Sequence, residues 1–320
     1  MTSLAMQWSP QSSPAGGVLL LDWKKNEATL APHFRAWKTG AHALAPDYDI
    51  ALLVPPGQAL LGLLRLDWEL TETGKNRSLV AVGENAHLKI LISMQGTGRA
   101  NSTVIVGPGA TLELVFIHSA GGDEEFGLDT HSYHDAQLTN AHVWLGTGVT
   151  NAQLTNTLEE IGAHIRHIDI AYLSGRQQLN EKLLLTHKVP HGTSRSIMKT
   201  VLFDESRVSF DGKIKVLPGA QKTDAMLQAH SSLLSSNARS VVVPSLEIEA
   251  NDVKCTHAAT SREIGPDQKF YLHSRGIGPK TAEGLIVQSF LESATQPLSE
   301  EARQAIDEKI GAVWAHRGER

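Results

Sequence analysis

Apolar and polar residues alternate along most of the chain in short runs that are separated by turn residues. The alternation is clear in AHLKILI, ATLELVF and GKIKVL, and a period of two places successive side chains on opposite faces of a β-strand. Glycine, asparagine and aspartate stand between the runs, at intervals of about ten residues, as tight turns require. From about Asp47 onward, the pattern predicts a protein that is mainly β.

Two strand–turn–strand segments are close copies of each other, VAVGENAHLKI from Val80 and VIVGPGATLEL from Val104. The pentapeptide AQLTN also occurs twice, from Ala136 and from Ala152. Repetition on this scale is typical of a solenoid, in which each coil stacks on the next. The repeats favour a parallel β-helix, and a β-sandwich is the alternative that the strand pattern alone leaves open.

The period changes after about residue 260, where helical patterns begin. GPDQKFYLHSRG predicts a short helix that stops at Gly276, and Pro279 suits the first position of the next helix. A last helix is expected after Pro297. The apolar faces expected for these two helices are Ala282, Leu285, Ile286, Ser289 and Phe290 in the first, and Ala302, Ala305, Ile306, Ile310 and Val313 in the second.

Three regions follow from these patterns: a mixed N-terminal segment (1–45), a β-helix core (46–260) and a C-terminal helical domain (261–320). The N-terminal segment lacks the basic-then-apolar order of a cleaved signal. The most apolar stretch, IALLVPPGQALLGLLRL, is interrupted by two prolines and carries an arginine, so we do not expect it to cross a bilayer.

Composition and charge narrow the functional classes. The net charge is −5 and 20% of the residues are charged, whereas proteins that bind nucleic-acid backbones are usually basic or carry a basic stripe. The single cysteine, Cys255, excludes a disulfide framework within the chain and a cluster held by four of its own thiolates. These features favour a cytoplasmic protein that does not bind nucleic acid.

Two alternatives from other functional classes stay open. HSRGIGPKTAEGLI, from His273, has the outline of a helix-hairpin-helix, whose backbone N–H groups can hold a phosphate of nucleic acid. A free-standing β-helix enzyme acting on polysaccharides would need clustered acidic residues. The nearest candidates, Asp123, Glu124 and Glu125, we interpret as a solvated turn. The chain has no phosphate-binding GxxxxGK[ST] loop, so we do not expect it to hydrolyse ATP itself.

Candidate metal ligands are histidines and the lone thiol. Three histidine pairs, at 131 and 134, 164 and 167, and 187 and 191, lie in strand and turn sequence, where we interpret them as ordinary surface or turn residues. Cys255 and His257 differ, because residues two apart on a strand point to the same face. A thiol beside an imidazole can bind iron or zinc, and a charged imidazole would lower the pKa of the thiol.

The segment PSLEIEANDVKCTHAATSREIGPDQKFYLHSRGI, from Pro244 to Ile277, resembles the signature of the SufB/SufD family of iron–sulfur cluster assembly proteins, and its SufD half most of all. Three upstream segments fit the same pattern: FDGKIKVLPGAQKTDAMLQAHSSLLSSNAR, THKVPHGTSRSIMKTVL and AYLSGRQQLN. Thr256, Ala258 and His273 depart from the usual SufD residues. Ala229 and Ala258 stand where SufB-like chains carry a cysteine and a glutamate of their cluster site.

The resemblance implies a right-handed parallel β-helix with a C-terminal helical domain, acting as a non-catalytic scaffold subunit. It implies pairing with a SufB-like chain, or with a second copy, and docking of a SufC-type ATPase. No cofactor would be bound tightly by the isolated chain, and iron or a nascent cluster would be shared at the interface through His257 and Cys255. The resemblance assigns ATPase docking to residues of the helical domain, namely Phe270, Tyr271, Arg275, Gly276, Ile277 and Phe290.

Overall fold

The computed structural model describes residues 6–7, 19–22, 50–54, 56–70, 76–263 and 266–317. Over these residues the protein is a parallel β-solenoid followed by three helices, which confirms the expected fold class. From β3 onward, successive strands alternate between two nine-stranded sheets, and neighbouring strands within each sheet are parallel except at β1 and β2. Most of the predicted N-terminal segment, and Pro55, lie outside the described residues.

The first sheet contains β1 and the even-numbered strands from β4 onward. Its members are β1 (Met6–Gln7), β4 (Ala59–Leu70), β6 (His87–Gly96), β8 (Thr111–His118), β10 (Gln137–Trp144), β12 (His164–Leu173), β14 (Thr193–Leu202), β16 (Asp224–Leu233) and β18 (Lys254–Glu263).

The second sheet contains β2 and the odd-numbered strands from β3 onward. Its members are β2 (Leu19–Asp22), β3 (Ile50–Val54), β5 (Arg77–Val82), β7 (Gly98–Val106), β9 (Glu124–Ser132), β11 (Val149–Leu158), β13 (Gln178–His187), β15 (Arg207–Val216) and β17 (Arg239–Ile248).

The repeat detected in the sequence is a repeat of stacked coils. Val80 pairs with Val104 between β5 and β7, and Leu88 pairs with Leu112 between β6 and β8. The two AQLTN pentapeptides are not such a repeat, because Ala136 precedes β10 in the first sheet whereas Ala152 lies within β11 in the second. The prediction that the two pentapeptides are repeats of the solenoid is therefore wrong, although the fold itself is confirmed.

Turn residues at one corner of the solenoid explain why glycine, asparagine and aspartate separate the strands. Asn85, Gly109, Asp135 and Gly162 all have a positive φ, a conformation that these residue types adopt most readily. In each coil the next residue is a fully buried alanine, at positions 86, 110, 136 and 163. The small side chain lets the corners of successive coils stack closely.

The helices are α1 (Pro266–Ser274), α2 (Pro279–Thr295) and α3 (Glu300–Arg317). Gly276 has a φ of 81° and stops α1, and Pro279 opens α2, both as predicted. The predicted apolar face of α2 is wrong in part, because Leu285 is exposed while Val287 and Leu291 are buried. The buried face is rotated around the helix axis from the predicted one, toward the side where the helix meets the solenoid. The predicted face of α3 is confirmed, with its alanines and Ile306 buried.

Helices α2 and α3 pack against the outer face of the first sheet. Val287, Leu291 and Ile306 join a second hydrophobic core with strand residues such as Ile117 and Phe203. Hydrogen bonds also hold the start of α3 on the sheet. The Glu113 carboxylate of β8 accepts them from the backbone N–H and the hydroxyl of Ser299, at 2.8 and 2.5 Å. A carboxylate at this position stabilises the start of α3.

Candidate functional site

The C-terminal end of the solenoid is formed by the terminal coil, β17 and β18, whose side chains are mostly exposed. Each strand is the last in its sheet, so one edge of each carries no neighbouring strand among the described residues. Val241 and Val243 on β17 are 56% and 53% exposed. An edge strand with exposed apolar residues is a surface that can pair with another strand.

Cys255 and His257 lie on β18 and face the same way, as the sequence predicted. Cys255 pairs with Ala225 and His257 with Leu227, both of which point into the solenoid. Because no coil follows, His257 is exposed, while Cys255 is half-buried against the interior core. The two side chains therefore lie at the mouth of the solenoid.

The thiol of Cys255 is not activated in this surrounding. Burial raises its pKa, and the nearby carboxylate of Asp224 acts in the same direction, against a smaller lowering by a hydrogen bond from the backbone of Ala225. The sequence analysis considered that a charged imidazole could lower the pKa of this thiol. In the structure the pKa of Cys255 is raised instead. A metal would have to displace the thiol proton in order to bind at Cys255.

The two alanines noted in the sequence lie close to this pair. Ala229 is buried in β16 beside Ala259, and Ala258 directly follows His257 on β18. Neither alanine has a ligand atom. On the interior face of β18, Cys255 and His257 lie next to each other, and Glu263 lies on the same face at the end of the strand.

The candidate docking residues of the helical domain separate into two groups. Phe270 and Tyr271 on α1 are 73% and 58% exposed, and the guanidinium of Arg275 lies over the Tyr271 ring. Gly276 and Ile277 follow in the turn to α2. We call these five residues the α1 surface; its aromatic side chains and Arg275 are exposed, and Ile277 is half-buried.

Phe290 does not belong to the α1 surface. It lies on α2, half-buried against the first sheet, where Lys199 donates a hydrogen bond to its carbonyl oxygen at 2.7 Å. The Lys199 ammonium also lies 4.5 Å from the centre of the Phe290 ring. Its contacts are those of a residue that fastens the helix to the solenoid.

A polar cluster inside the solenoid was missed by the sequence analysis. It contains His118, Glu124, His142, His167, Asp169 and Glu181, all of them buried. The sequence signal was available for Glu181, because alternation along LNEKLLL places it at an inward position otherwise filled by leucines. HIDI carried no such signal, because its isoleucines point outward under the helices while His167 and Asp169 point inward. His164 and His167 were interpreted together as surface or turn residues, which hid the cluster. His164 is only half-buried, whereas His167 faces the interior.

The interpretation of residues 123–125 as a solvated turn is wrong for Glu124. This residue begins β9 and is buried, with its carboxylate 2.8 Å from Nδ1 of His118. Glu125 instead pairs with Arg99 on the outer surface, and Asp123 accepts a hydrogen bond from the backbone of Val149. The three acidic side chains thus point to different places, which removes the acidic cluster considered for a polysaccharide enzyme.

Comparison with known proteins connects these features to a family. The family model described as the SUF system FeS cluster assembly, SufBD core domain, matches residues 69–290. The chain belongs to the SufBD family. The matched range extends from β4 through α2, so it includes both the terminal coil and the α1 surface of this SufBD member.

Individual relatives agree with the SufD-like resemblance. The iron–sulfur cluster assembly protein SufD of Escherichia coli is 32% identical over 178 residues, which is 55% of this chain and 42% of that protein. An iron–sulfur cluster assembly SufBD family protein of Synechocystis is 32% identical over 46% of this chain and 32% of its own length. The chloroplastic protein ABCI7 of Arabidopsis thaliana is 38% identical over 35% of this chain and 23% of its own. The matched region is thus less than half of each relative.

Within the described residues, no helix has the length and apolar character that a membrane-spanning segment needs. The two-helix outline of α1 and α2 is real, but it lies within the family match, and it exposes the aromatic residues Phe270 and Tyr271 beside Arg275.

Proposed function

We propose that this SufBD member is a SufD-like subunit of an iron–sulfur cluster assembly scaffold. It pairs through the terminal coil with a SufB-like chain or with a second copy of itself. The observation that carries the proposal is the exposed terminal coil, whose edge strands and exposed valines suit strand pairing and whose inner face bears Cys255 and His257.

In this proposal His257 is a ligand to iron or to a nascent cluster, which is the cargo of the assembly. Its exposed position lets a partner chain complete the coordination, and a neutral imidazole is a suitable ligand for iron. Cys255 acts as an auxiliary thiol, because its raised pKa keeps it protonated until a metal displaces the proton. The interfacial cargo would not stay on the isolated chain.

The α1 surface is the proposed docking site of a SufC-type ATPase. Exposed aromatic side chains are the residues that anchor protein interfaces most often. The chain itself carries no phosphate-binding loop, so ATP would be hydrolysed by the partner and this subunit would be non-catalytic. We place the assembly in the cytoplasm.

The connectivity also suggests how an ATPase would act on the metal site. Strand β18 ends at Glu263 and α1 begins at Pro266, so only residues 264 and 265 separate the strand that bears His257 from the proposed docking helix. A displacement of α1 by ATP-driven motion of its partner would therefore act on β18 directly.

The replacement His257→Ala tests the proposal. In the complex purified with its partners, the variant should keep the subunit composition but lose most of the bound iron and acid-labile sulfide after anaerobic reconstitution. His87→Ala is a matched control, because His87 is an exposed histidine in the same sheet, near the opposite end of the solenoid. Equal iron and sulfide in the His257 variant and the wild type would refute the role of His257.

A further inference from the structure

The interior polar cluster brings together one imidazole and two carboxylates from opposite sheets. His167 and Asp169 are two residues apart on β12 and both point inward, and Glu181 points inward from β13. One ligand atom from each residue lies within 4.8 Å of the other two. All three side chains are buried, so the group is a closed site and not a surface cluster of acidic residues.

Hydrogen bonds around His167 determine which of its nitrogens is free to bind a ligand. The Asn140 side chain donates to Asn156 at 2.9 Å, which orients the Asn140 oxygen toward Nδ1 of His167, 3.0 Å away. Nδ1 therefore carries the proton, and Nε2 presents a lone pair. That lone pair faces a carboxylate oxygen of Asp169 at 2.5 Å, so a proton or a cation must lie between two groups that otherwise repel each other.

Glu181 strengthens the requirement for a cation. It is 1% exposed, and neither of its carboxylate oxygens has a hydrogen-bond partner among the described residues. A buried carboxyl group without a partner is costly, and none of the buried residues in the described part of the chain is a lysine or an arginine that could neutralise it.

A second orphaned atom lies in the same cluster. His118 donates from Nδ1 to Glu124, so its Nε2 accepts from Nδ1 of His142, 3.2 Å away. Nε2 of His142 then presents a lone pair, and this buried atom has no hydrogen-bond partner within the part of the chain that the structure describes. His142 is the direct neighbour of Asp169 in the β10–β12 pairing. Glu181 and His142 thus both present lone pairs in this cluster to which the described residues offer no hydrogen bond.

Apolar side chains enclose the cluster along the axis of the solenoid. Met198 follows Asp169 in the next coil, Phe210 follows Glu181, and Phe116 lies on the preceding side, next to His142 in the stack. All three are fully buried. Inside this enclosure a divalent cation would neutralise the two carboxylates, whereas two unpaired carboxylates in such surroundings would repel each other strongly.

We propose that Nε2 of His167 and carboxylate oxygens of Asp169 and Glu181 bind one divalent transition-metal ion in the interior of the solenoid. One imidazole and two carboxylates suit Zn²⁺, Fe²⁺ or Mn²⁺, with bonds of about 2.0–2.2 Å for zinc. The ion would be a resident structural metal that joins the two sheets. It changes the expectation, drawn from the family resemblance, that the isolated chain binds no cofactor tightly.

The proposed interior site is separate from the proposed cargo site at His257. His167 and His257 occupy the same inward column, but β14 and β16 lie between their strands, which amounts to about 14 Å at the usual strand spacing. Met198 and other apolar residues fill the intervening space. The inference therefore does not rest on the proposed function.

The test is the metal content of the full chain, purified alone in the presence of Zn²⁺, Fe²⁺ or Mn²⁺ and then desalted. Elemental analysis should find about one ion per chain, and removal of that ion with a chelator should lower the melting temperature. Glu181→Gln, which keeps the size of the side chain and removes a charged ligand, should weaken metal binding at least tenfold. His257→Ala should retain the ion, so failure of the proposed function would leave this result unchanged.

A proton shared between the carboxyl groups is the competing account of the cluster. Three results would favour it and overturn the metal proposal. The chain could bind no ion after desalting, chelators could leave the melting temperature unchanged, or Glu181→Gln could fold with the wild-type metal content. If Glu181→Gln does not fold, a Co²⁺ titration of the metal-free wild type decides the question. Visible absorption bands of a low-symmetry site at one equivalent would support the interior site, and their absence would refute it.

Discussion

Burial holds the imidazole of His187 in its neutral form. The side chain lies inside the solenoid at the end of β13, with Nε2 2.9 Å from the Ser194 hydroxyl. No described residue forms a hydrogen bond with its Nδ1. Burial lowers the pKa of His187 to about 4, from an ordinary value of about 6.5. The unfolded chain therefore takes up a proton at a higher pH than the folded chain does.

This difference in pKa predicts that acid destabilises the fold. Stability is fully present above about pH 6.5 and falls as the pH drops toward about 4, because only the unfolded state binds the proton in that window. In His187→Asn, the loss of unfolding free energy between pH 6.5 and 4.5 should be smaller than in the wild type by about 2 kcal/mol. Denaturant unfolding of both proteins at a series of pH values measures this difference in unfolding free energy.

His191→Asn is the control for the His187 prediction. His191 is exposed at a corner with a φ of 61°, a conformation that asparagine tolerates. This variant should keep the wild-type dependence of stability on pH. An unchanged pH dependence in His187→Asn would mean that His187 is protonated as easily in the folded protein as in the unfolded chain.

Single residues also show what the sequence could and could not predict about the sites. The period of two on β18 was enough to place Cys255 and His257 on one face. It could not reveal that His167 meets Glu181, because these residues lie on different sheets and only the closure of a coil brings them together. The burial of Glu124 was missed because its neighbours Asp123 and Glu125 are polar and the residue begins a strand.

At the scale of elements, β17 exposes apolar side chains on an edge strand. Val243→Lys should weaken association with the partner chain at least tenfold, because a lysine on an edge strand opposes strand pairing. The stability of the isolated chain should change little, since Val243 is already exposed. Binding affinities of the purified chains provide the measurement.

Ile161→Lys is the matched control for Val243→Lys. Ile161 is 48% exposed in the turn between β11 and β12, away from the terminal coil. It introduces the same charge at a similarly exposed apolar position and should leave association unchanged. If both lysine variants bind the partner like the wild type, β17 is not part of the interface.

The helices α1 and α2 expose their aromatic residues to different degrees, and the two groups should respond differently to truncation. Replacing Phe270 and Tyr271 by alanine should reduce ATPase binding at least tenfold without lowering the melting temperature, because both rings are exposed. Phe290→Ala should lower stability by about 1–3 kcal/mol, since its ring packs between α2 and the first sheet. Calorimetry and binding assays on the three proteins separate docking from packing.

The opposite pattern of effects would contradict the assignment of docking to α1 and of packing to Phe290. ATPase binding that survives the double replacement at 270 and 271, but is lost in Phe290→Ala with an unchanged melting temperature, would move the docking site to α2.

The sequence placed the three helices and the Gly276 stop correctly, because helix caps are local signals. It misplaced the buried face of α2, because the face that is buried depends on where the helix meets the solenoid.

At the scale of the whole molecule, the solenoid and the helices form one connected unit. Helices α2 and α3 share a hydrophobic core with the outer face of the first sheet, and α1 continues almost directly from β18. The sequence predicted the solenoid because its coils repeat at a nearly fixed length. It could not predict how the helices fold back, since such contacts join residues as distant as Glu113 and Ser299.

We propose that this SufBD member works as one subunit of a cluster assembly scaffold. The most direct measurement is native mass spectrometry of the tagged chain purified anaerobically with untagged neighbours from its own host, with iron and sulfide assayed on the same sample. The proposal predicts a complex that contains a second solenoid chain and an ATPase, with iron that depends on His257. Recovery of the chain alone, or bound to nucleic acid, would contradict it.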